Sequence, residues 1–502
     1  MSRLLPVTIA LPLLSTALTF VGGRPLRRTL SFATSGAVLL FGIWLVAATR
    51  DGTVLATQVG GWPAPYAIPL AVDALSALML TVSAFMVLLC TTFAVSRGED
   101  EHPLFHSVLL GLSAGLYGSF ATADLFNLFV CFEIMLISSY VLIVLGGTAE
   151  QVRAGAVYVT TNMLASFVLL TGVALLYGEA GSVNIAELAS ATRSTGSVAV
   201  AAGLLLAAFA VKAALVPVHG WLPYSYPAAS PAVAALFSGL LTKVGLYAIY
   251  RVYATVFAGE PAYRTPLLVA AALSMVFGVF GAVGRDGMRE ILSFHIVSQV
   301  GYILAGVGLF GPLGLAAGIF YMLHHVIVKT GLFLTAGAVE TLHGTGLLSE
   351  LGGLARRRPL LASAFMACAL SLAGLPPFSG FFGKLALVQA AFSLREHWIA
   401  AVMVVVSLFT LLSMIKIWTG VFWGEDREPA PIAGGAPEAE HGFATGGRRS
   451  TAGPAAVMAP ALVCATSTIL IGLAAAGLYA LSLSAAEALV DTTAYVEAVL
   501  GR

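Results

Sequence analysis

The residues that could carry charge through a membrane are distinguished first by their type. All of the chain's five lysines fall within long apolar runs, at Lys212, Lys243, Lys329, Lys384 and Lys416. The twenty arginines fall in loops or near the ends of these runs. Lysine can lose its proton when it is desolvated, whereas arginine effectively cannot. This division indicates chemistry that needs a base able to change charge, and therefore proton transfer.

One acid lies at a similar depth. Glu133 is nine residues inside the apolar run "DLFNLFVCFEIMLISSYVLIVL", residues 124–145. An ionisable residue deep in a span faces the bundle interior by default and marks an ion pathway. We predict Lys212 as its partner. A fixed salt bridge that holds two helices together is the structural alternative, and the two roles can coexist if the pair opens and closes to gate the next lysine.

Two neighbouring histidines extend the polar row. His324 and His325 precede Lys329 by about one turn, and the i, i+4 spacing of His325 and Lys329 places both on one helix face. A hydrogen-bonded structural histidine is the alternative to a proton relay at these positions.

Three further residues are predicted accessory positions. His295 lies in another apolar run, His219 lies beside a helix break, and Lys416 lies near a cytoplasmic end where a lysine can reach water. No carboxylate or cysteine completes a ligand set with the histidines, so we predict no metal site. The four cysteines are each isolated in an apolar run, and the sequence predicts no cofactor.

The elements that position these residues follow from composition. The 502 residues are 59% hydrophobic and 10% charged, and apolar runs repeatedly exceed the roughly 18 residues that suggest a spanning helix. We therefore predict an all-α polytopic membrane protein with about fourteen transmembrane helices. No basic patch is concentrated enough for nucleic acid. The predicted spans are 4–22, 29–48, 70–96, 103–122, 124–145, 153–177, 197–222, 231–257, 265–283, 290–310, 313–341, 360–394, 398–423 and 456–486.

The arginines predict the orientation of these spans. Fourteen spans place thirteen arginines in loops on one side and seven on the other. By the positive-inside rule, the richer side is cytoplasmic and both termini lie outside.

Two spans contain helix breakers. Pro217 interrupts the seventh, and Pro376 and Pro377 interrupt the twelfth, with Lys212 and Lys384 beside the breaks. A simple proline kink is the alternative for either one alone. Because the breaks are five spans apart, an odd number, we predict two inverted five-helix repeats with an ion site near the broken helices. The predicted parts are three N-terminal spans (1–97), the first repeat (103–258), the second repeat (265–424), a cytoplasmic linker (425–455), and a last helix with its tail (456–502).

Five motifs in order resemble the proton-translocating antiporter-like family. They are "FEIMLISSY", "KAALVPVHGWLP", "SGLLTKVGLY", "SFHIVSQVGY" and "LPPFSGFFGK", within residues 103–424. That family includes the antiporter-like subunits of respiratory complex I and the large subunits of Mrp-type sodium/proton antiporters. The resemblance implies a central polar axis of Glu133, Lys212, Lys243, His325, Lys329 and Lys384. It also implies transported H⁺ and Na⁺, partner subunits that include a larger homologue, no cofactor, and a multi-pass location in a bacterial or archaeal plasma membrane.

Two other functions remain open from the sequence. One is a proton-pumping subunit of a complex I-type NADH:quinone oxidoreductase or a membrane-bound hydrogenase, although Lys384 departs from the complex I subunit with glutamate at that place. The other is a non-transporting scaffold, which five desolvated lysines disfavour because burying them is costly.

Overall fold

The computed structural model describes residues 2–63, 66–191, 196–425 and 453–501, and most of these are helical. The helices up to the first break are α1 Val7–Val21, α2 Arg24–Thr49, α3 Ala74–Arg97, α4 Phe105–Ala121, α5 Leu125–Val144, α6 Ala149–Ala180, α7 Ile185–Ala191 and α8 Gly196–Lys212. The next are α9 Trp221–Ser225, α10 Pro231–Thr255, α11 Arg264–Val283, α12 Met288–Gly308, α13 Pro312–His343, α14 Leu354–Arg357, α15 Pro359–Ala373, α16 Ser379–Ser393 and α17 His397–Ile417. The last are α18 Pro454–Leu473, α19 Ala475–Val490 and α20 Thr493–Leu500.

The helices have the length and composition of membrane spans. In the described ranges, 11 helical segments are long and apolar enough to cross a membrane, and α4, α8, α15 and α19 are shorter apolar helices. The prediction of an all-α polytopic membrane protein is confirmed. The count of fourteen spans and the inverted relation of the two repeats stay predictions.

One predicted boundary is wrong in detail. The third span was expected to start at residue 70, but Pro69–Val72 forms a strand, β2, that pairs antiparallel with β1, Leu55–Gln58. The α3 helix starts only at Ala74 because Asp73 caps it, its carboxylate accepting a hydrogen bond from the Ser76 backbone N–H at 3.0 Å.

Both spans with prolines are interrupted. The seventh divides into α8 and α9, and the twelfth divides into α15 and α16. Proline lacks an N–H and clashes with the preceding turn, so neither helix continues through its break. The last span also divides, at Ala474 between α18 and α19.

The interior of the molecule is built around α13. This helix packs against α10, α12, α15, α16, α18 and α19. The apolar parts of α10 and α13 are buried throughout, whereas α1, α2 and α17 expose much of their surface. Lysines on α10 and α13 are therefore held in the middle of the protein.

The predicted division into parts stays a prediction. Along the chain, each predicted repeat holds three apolar helices, an interrupted span and a further long helix. Most of the predicted cytoplasmic linker, residues 426–452, lies outside the described residues.

Candidate functional site

Glu133 and Lys212 are joined through a third side chain. Glu133 lies on α5 and is half-buried, and the hydroxyl of Ser166 on α6 donates a hydrogen bond to its carboxylate. The Nζ atom of Lys212 donates to the same hydroxyl oxygen at 3.0 Å. In this described part of the chain the predicted pair is thus a serine-bridged chain rather than a direct ion pair within 4 Å.

The position of Lys212 follows from the first break. Lys212 is the last residue of α8, and Pro217 follows five residues later. The Val216 N–H donates to Ser274 Oγ at 3.0 Å, and the indole N–H of Trp221 donates to the Val211 carbonyl at 3.0 Å. The first bond satisfies an N–H that the broken helix leaves without a helical partner. The second is an additional bond to the Val211 carbonyl, which also accepts from the Ala214 N–H.

A small cavity lies beside Lys212. Its walls include Phe132, Tyr158, Asn162 and Trp221, and it has room for about one water molecule. The Nζ atom of Lys212 also lies 5.2 Å from the centroid of the Phe132 ring. This water-sized space lies next to the amine, and its walls are mostly apolar.

The next two lysines lie in the fully buried interior. The Nζ atom of Lys243 on α10 donates to the Ser238 carbonyl at 2.5 Å, and that of Lys329 on α13 donates to the Leu292 carbonyl at 3.0 Å. His325 on α13 is also fully buried, and neither of its ring nitrogens has a hydrogen-bond partner among the described residues.

Lys384 occupies the second break. Its Nζ atom donates to the carbonyl of Ala373, the last residue of α15, at 3.1 Å and lies 4.7 Å from the centroid of the Tyr302 ring. Pro376 and Pro377 lie in the segment between α15 and α16. A carbonyl at a helix C-terminus is a favourable partner for a cation.

The accessory residues are placed differently from one another. His324 and His295 are fully buried and contact hydroxyls, the first through Nδ1 to Ser379 Oγ and the second through Nε2 to Ser413 Oγ, both at 2.8 Å. His219 is half-buried in the first break.

Lys416 is placed apart from the buried lysines. It is partly exposed and donates to the carbonyls of Val283, the last residue of α11, and Arg285, just beyond it, at 2.8 and 2.5 Å. A lysine that bonds to carbonyls at a helix C-terminus acts as a cap.

Sequence reasoning missed the hydroxyl groups of the site. Ser166, Ser371, Ser379 and Thr468 are buried and contact predicted site residues or one another. Serine and threonine are frequent throughout the apolar runs, so type and depth did not single these four out. Only Ser379 could have been identified from the sequence, because it directly follows the second break.

Metal-ligating groups do not gather in the described part of the chain. No set of three or more His, Cys, Asp and Glu side chains there could hold a metal ion. Cys90, Cys131, Cys368 and Cys464 are buried free thiols.

The comparisons with known proteins identify the family. The family model for "NADH:quinone oxidoreductase/Mrp antiporter, TM" matches residues 121–410. The chain belongs to this family. It is 40% identical to the D-type subunit of the Na⁺/H⁺ antiporter of Alkalihalophilus pseudofirmus, over 99% of each chain.

Solved structures of the NADH:quinone oxidoreductase/Mrp antiporter family have the same fold. The chain is similar to a chain in the structure of the Mrp complex from Dietzia sp. DQ12-45-1b, with a TM-score of 0.92, 45% identity, and coverage of 100% of this chain and 99% of that one. It is also similar to a chain of respiratory complex I from Thermus thermophilus, with a TM-score of 0.81, 26% identity, and coverage of 97% and 99%. The matched range of the family model includes all six predicted axis residues, while Lys416 and Thr468 lie beyond it.

Proposed function

We propose that this chain is the proton-translocating subunit of a multisubunit Na⁺/H⁺ antiporter, equivalent to the D-type subunit of its bacterial relatives. Protons pass along Glu133, Lys212, Lys243, His325, Lys329 and Lys384. The observation that carries this proposal is the hydrogen-bonded chain of Glu133, Ser166 and Lys212 beside the first helix break. Membership in the family and the full-length similarity to antiporter subunits support it.

Ser166 provides a route for a proton between the two charged ends. A hydroxyl can accept from an ammonium and donate to a carboxylate at the same time. Glu133 stabilises the protonated form of Lys212 by Coulomb attraction. When the serine bridge opens, Lys212 loses this support and its proton becomes available to the next base.

Beyond Lys212, the row continues through groups that can change charge. Lys243 and Lys329 have backbone carbonyls as hydrogen-bond acceptors, and His325 has nitrogen atoms free for water or a rotated neighbour. Both amine states of lysine keep N–H donors, so these carbonyls remain satisfied when a proton leaves. Lys384 ends the row at the second break.

The cellular setting completes the proposal. The chain lies in the plasma membrane of a bacterium or archaeon with both termini outside, as the arginine distribution indicates. It assembles with other subunits, including a larger homologous antiporter-like one. A charge that crosses the membrane gains about 2.3 kcal/mol per 100 mV, which can drive sodium export when the charges exchanged are unequal.

Antiport in everted membrane vesicles tests the proposal. Vesicles carry the whole complex with Glu133→Ala or Lys212→Ala, and Glu150→Ala serves as a control because Glu150 is exposed at the start of α6. We expect both axis variants to lose most sodium-dependent proton exchange while the complex still assembles, and the control to keep it. Wild-type exchange in either axis variant would overturn the proposed pathway.

A second function is favoured by one comparison. The similarity to a complex I chain supports a role in proton pumping, powered by redox chemistry in partner subunits. The composition of the purified native complex distinguishes the two, since small antiporter subunits accompany the first and flavin and iron–sulfur subunits the second.

A further inference from the structure

Three hydroxyl groups from three helices meet at the second break. Thr468 Oγ1 on α18 lies 2.7 Å from Ser371 Oγ on α15 and 2.6 Å from Ser379 Oγ on α16. The two serine oxygens are 3.2 Å apart. All three side chains are fully buried. We call Ser371, Ser379 and Thr468 the hydroxyl cluster.

The cluster is attached to a histidine of the interior. Ser379 Oγ lies 2.8 Å from Nδ1 of His324. The other ring nitrogen, Nε2, is buried and has no hydrogen-bond partner among the described residues. The imidazole is therefore held at one nitrogen, and the second is free to exchange a proton with the interior.

Tight packing holds α18 against the break. A Cβ atom on Gly472 would lie 2.2 Å from the Pro377 carbonyl oxygen and 2.9 Å from the Ser379 backbone nitrogen. A Cβ atom on Gly380 would lie 1.8 Å from the Ser371 carbonyl oxygen. Only glycine permits these approaches, so the helix that supplies Thr468 is fixed in register with the break.

The cluster can satisfy Nδ1 of His324 in either charge state of the ring. When Nδ1 accepts, the hydroxyls can donate in the order Ser371, Thr468, Ser379 and then the ring. When the ring carries a proton on Nδ1, it donates to Ser379, whose own hydroxyl must then find an acceptor. The nearer acceptor is Thr468 Oγ1, which lies 2.6 Å from Ser379 Oγ. Without Thr468, the remaining acceptor in the cluster is Ser371 Oγ at 3.2 Å.

We propose that Thr468 is a positioning residue for proton transfer at the second break. It completes a reversible hydroxyl cluster in which Nδ1 of His324 can accept or donate a hydrogen bond without leaving the Ser379 hydroxyl unpaired. This rests on the proposed function, and it assigns a role in the transport site to the last membrane helix, outside the range that the family model matches. An unsatisfied buried polar group is the cost that the cluster avoids.

The helix α13 and the helices packed against it carry other titratable groups. They are Lys384 on α16, Lys243 on α10, His295 on α12, Tyr479 on α19, Cys90 on α3, Cys368 on α15, Cys464 on α18, and Tyr321, His325 and Lys329 on α13. Tyr321 packs its ring 5.1 Å from the imidazole. A protonated lysine near the ring disfavours a second positive charge on it, whereas the hydroxyl cluster stabilises the protonated ring.

The test is the pH profile of antiport in vesicles that contain the assembled complex. Thr468→Val removes the acceptor at nearly constant volume, so the protonated His324 is disfavoured. We expect the pH at which activity falls off to be about one unit lower than in the wild type, because the loss of one such hydrogen bond gives a shift of this size. Thr468→Ser restores a hydroxyl and is expected to keep the wild-type profile. Ser467→Ala is the matched control, since that hydroxyl is on the exposed face and donates to Val463.

The outcomes separate this inference from the function it rests on. A wild-type profile for Thr468→Val, or an equal shift for Thr468→Ser, overturns the role of Thr468. If Lys212→Ala is inactive in the same assay, the proposed function stands in either case; normal transport by Lys212→Ala instead overturns the proposed function itself. Should Thr468→Val fail to assemble, Ser379→Ala decides, because it removes the acceptor of His324 without adding volume. Ser379→Ala must then shift the pH profile in the direction expected for Thr468→Val, and by at least the shift expected for that variant.

Discussion

The four buried lysines all donate hydrogen bonds to uncharged acceptors. Lys212 donates to a serine hydroxyl, and Lys243, Lys329 and Lys384 donate to backbone carbonyls. A buried lysine fixed in a direct salt bridge is held in its charged form. Uncharged acceptors instead accommodate both the ammonium and the neutral amine, as a proton carrier requires.

Ser166 is the residue whose role is most specific to the bridge. We predict that Ser166→Ala lowers sodium-dependent proton exchange about tenfold, the effect of about 1.4 kcal/mol of lost stabilisation. Ser166→Thr keeps the hydroxyl and is expected to retain most activity. Exchange rates in vesicles with equal amounts of complex measure both. Equal activity in Ser166→Ala and wild type would show that the proton does not use the bridge.

At the scale of secondary-structure elements, the packing of α8 against α10 positions Lys212. A Cβ atom on Gly245 of α10 would lie 2.8 Å from the Ala213 backbone nitrogen and 3.1 Å from the Lys212 carbonyl carbon. The end of α8 therefore sits directly on a glycine of α10. Larger side chains there must displace the backbone next to Lys212.

We predict that Gly245→Ala reduces transport and costs about 1–3 kcal/mol in stability through overpacking. Gly203→Ala on α8 is the matched control, because a Cβ atom there meets nothing within 4 Å. The measurements are antiport in vesicles and the Tm of the purified complex. Unchanged transport and Tm for Gly245→Ala would contradict the close approach.

A second contact between elements is formed by Asp100 and three basic side chains. Arg28 Nε lies 2.5 Å from its carboxylate, Arg24 Nη2 lies 3.2 Å away, and His106 Nε2 lies 3.4 Å away. Burial opposes ionisation, but hydrogen bonds from these three side chains outweigh it and hold the pKa of Asp100 well below its usual range. The cluster ties α2 to α4 and to the turn before it.

We predict that Asp100→Asn lowers the stability of the complex by about 1–3 kcal/mol at neutral pH. The pKa of Asp100 is depressed by folding, so its contribution is present above the unfolded value of about 3.9 and is lost as pH falls towards the folded one. The Tm difference from wild type should therefore shrink in acid. Asp51→Asn is the control, since the Arg50–Asp51 pair is exposed, and an equal effect of the two variants would refute this role.

How much could be predicted from the sequence differs between elements. Hydropathy and proline located the broken helices, and lysine type selected the bases of the proposed pathway. The start of α3 was misplaced because a strand and the cap at Asp73 precede it, and apolar strands and helices look alike over a few residues. The roles of Ser166 and Thr468 depend on contacts between distant helices, which hydropathy does not encode.

At the scale of the whole molecule, burial separates two kinds of lysine. Lys243 and Lys329 are fully buried on the central helices α10 and α13, whereas Lys416 is partly exposed and caps α11. The same residue type thus serves the proposed pathway in the interior and helix capping at the periphery.

In the proposed function, protons cross the membrane through the buried lysines. The most direct measurement is potential-driven, sodium-coupled proton movement in proteoliposomes of the purified complex, with Lys329→Ala compared with Lys416→Gln. We predict that Lys329→Ala abolishes proton movement in an assembled complex, while Lys416→Gln, which keeps a donor for the carbonyls of α11, retains it. Full proton movement in Lys329→Ala would contradict the buried pathway.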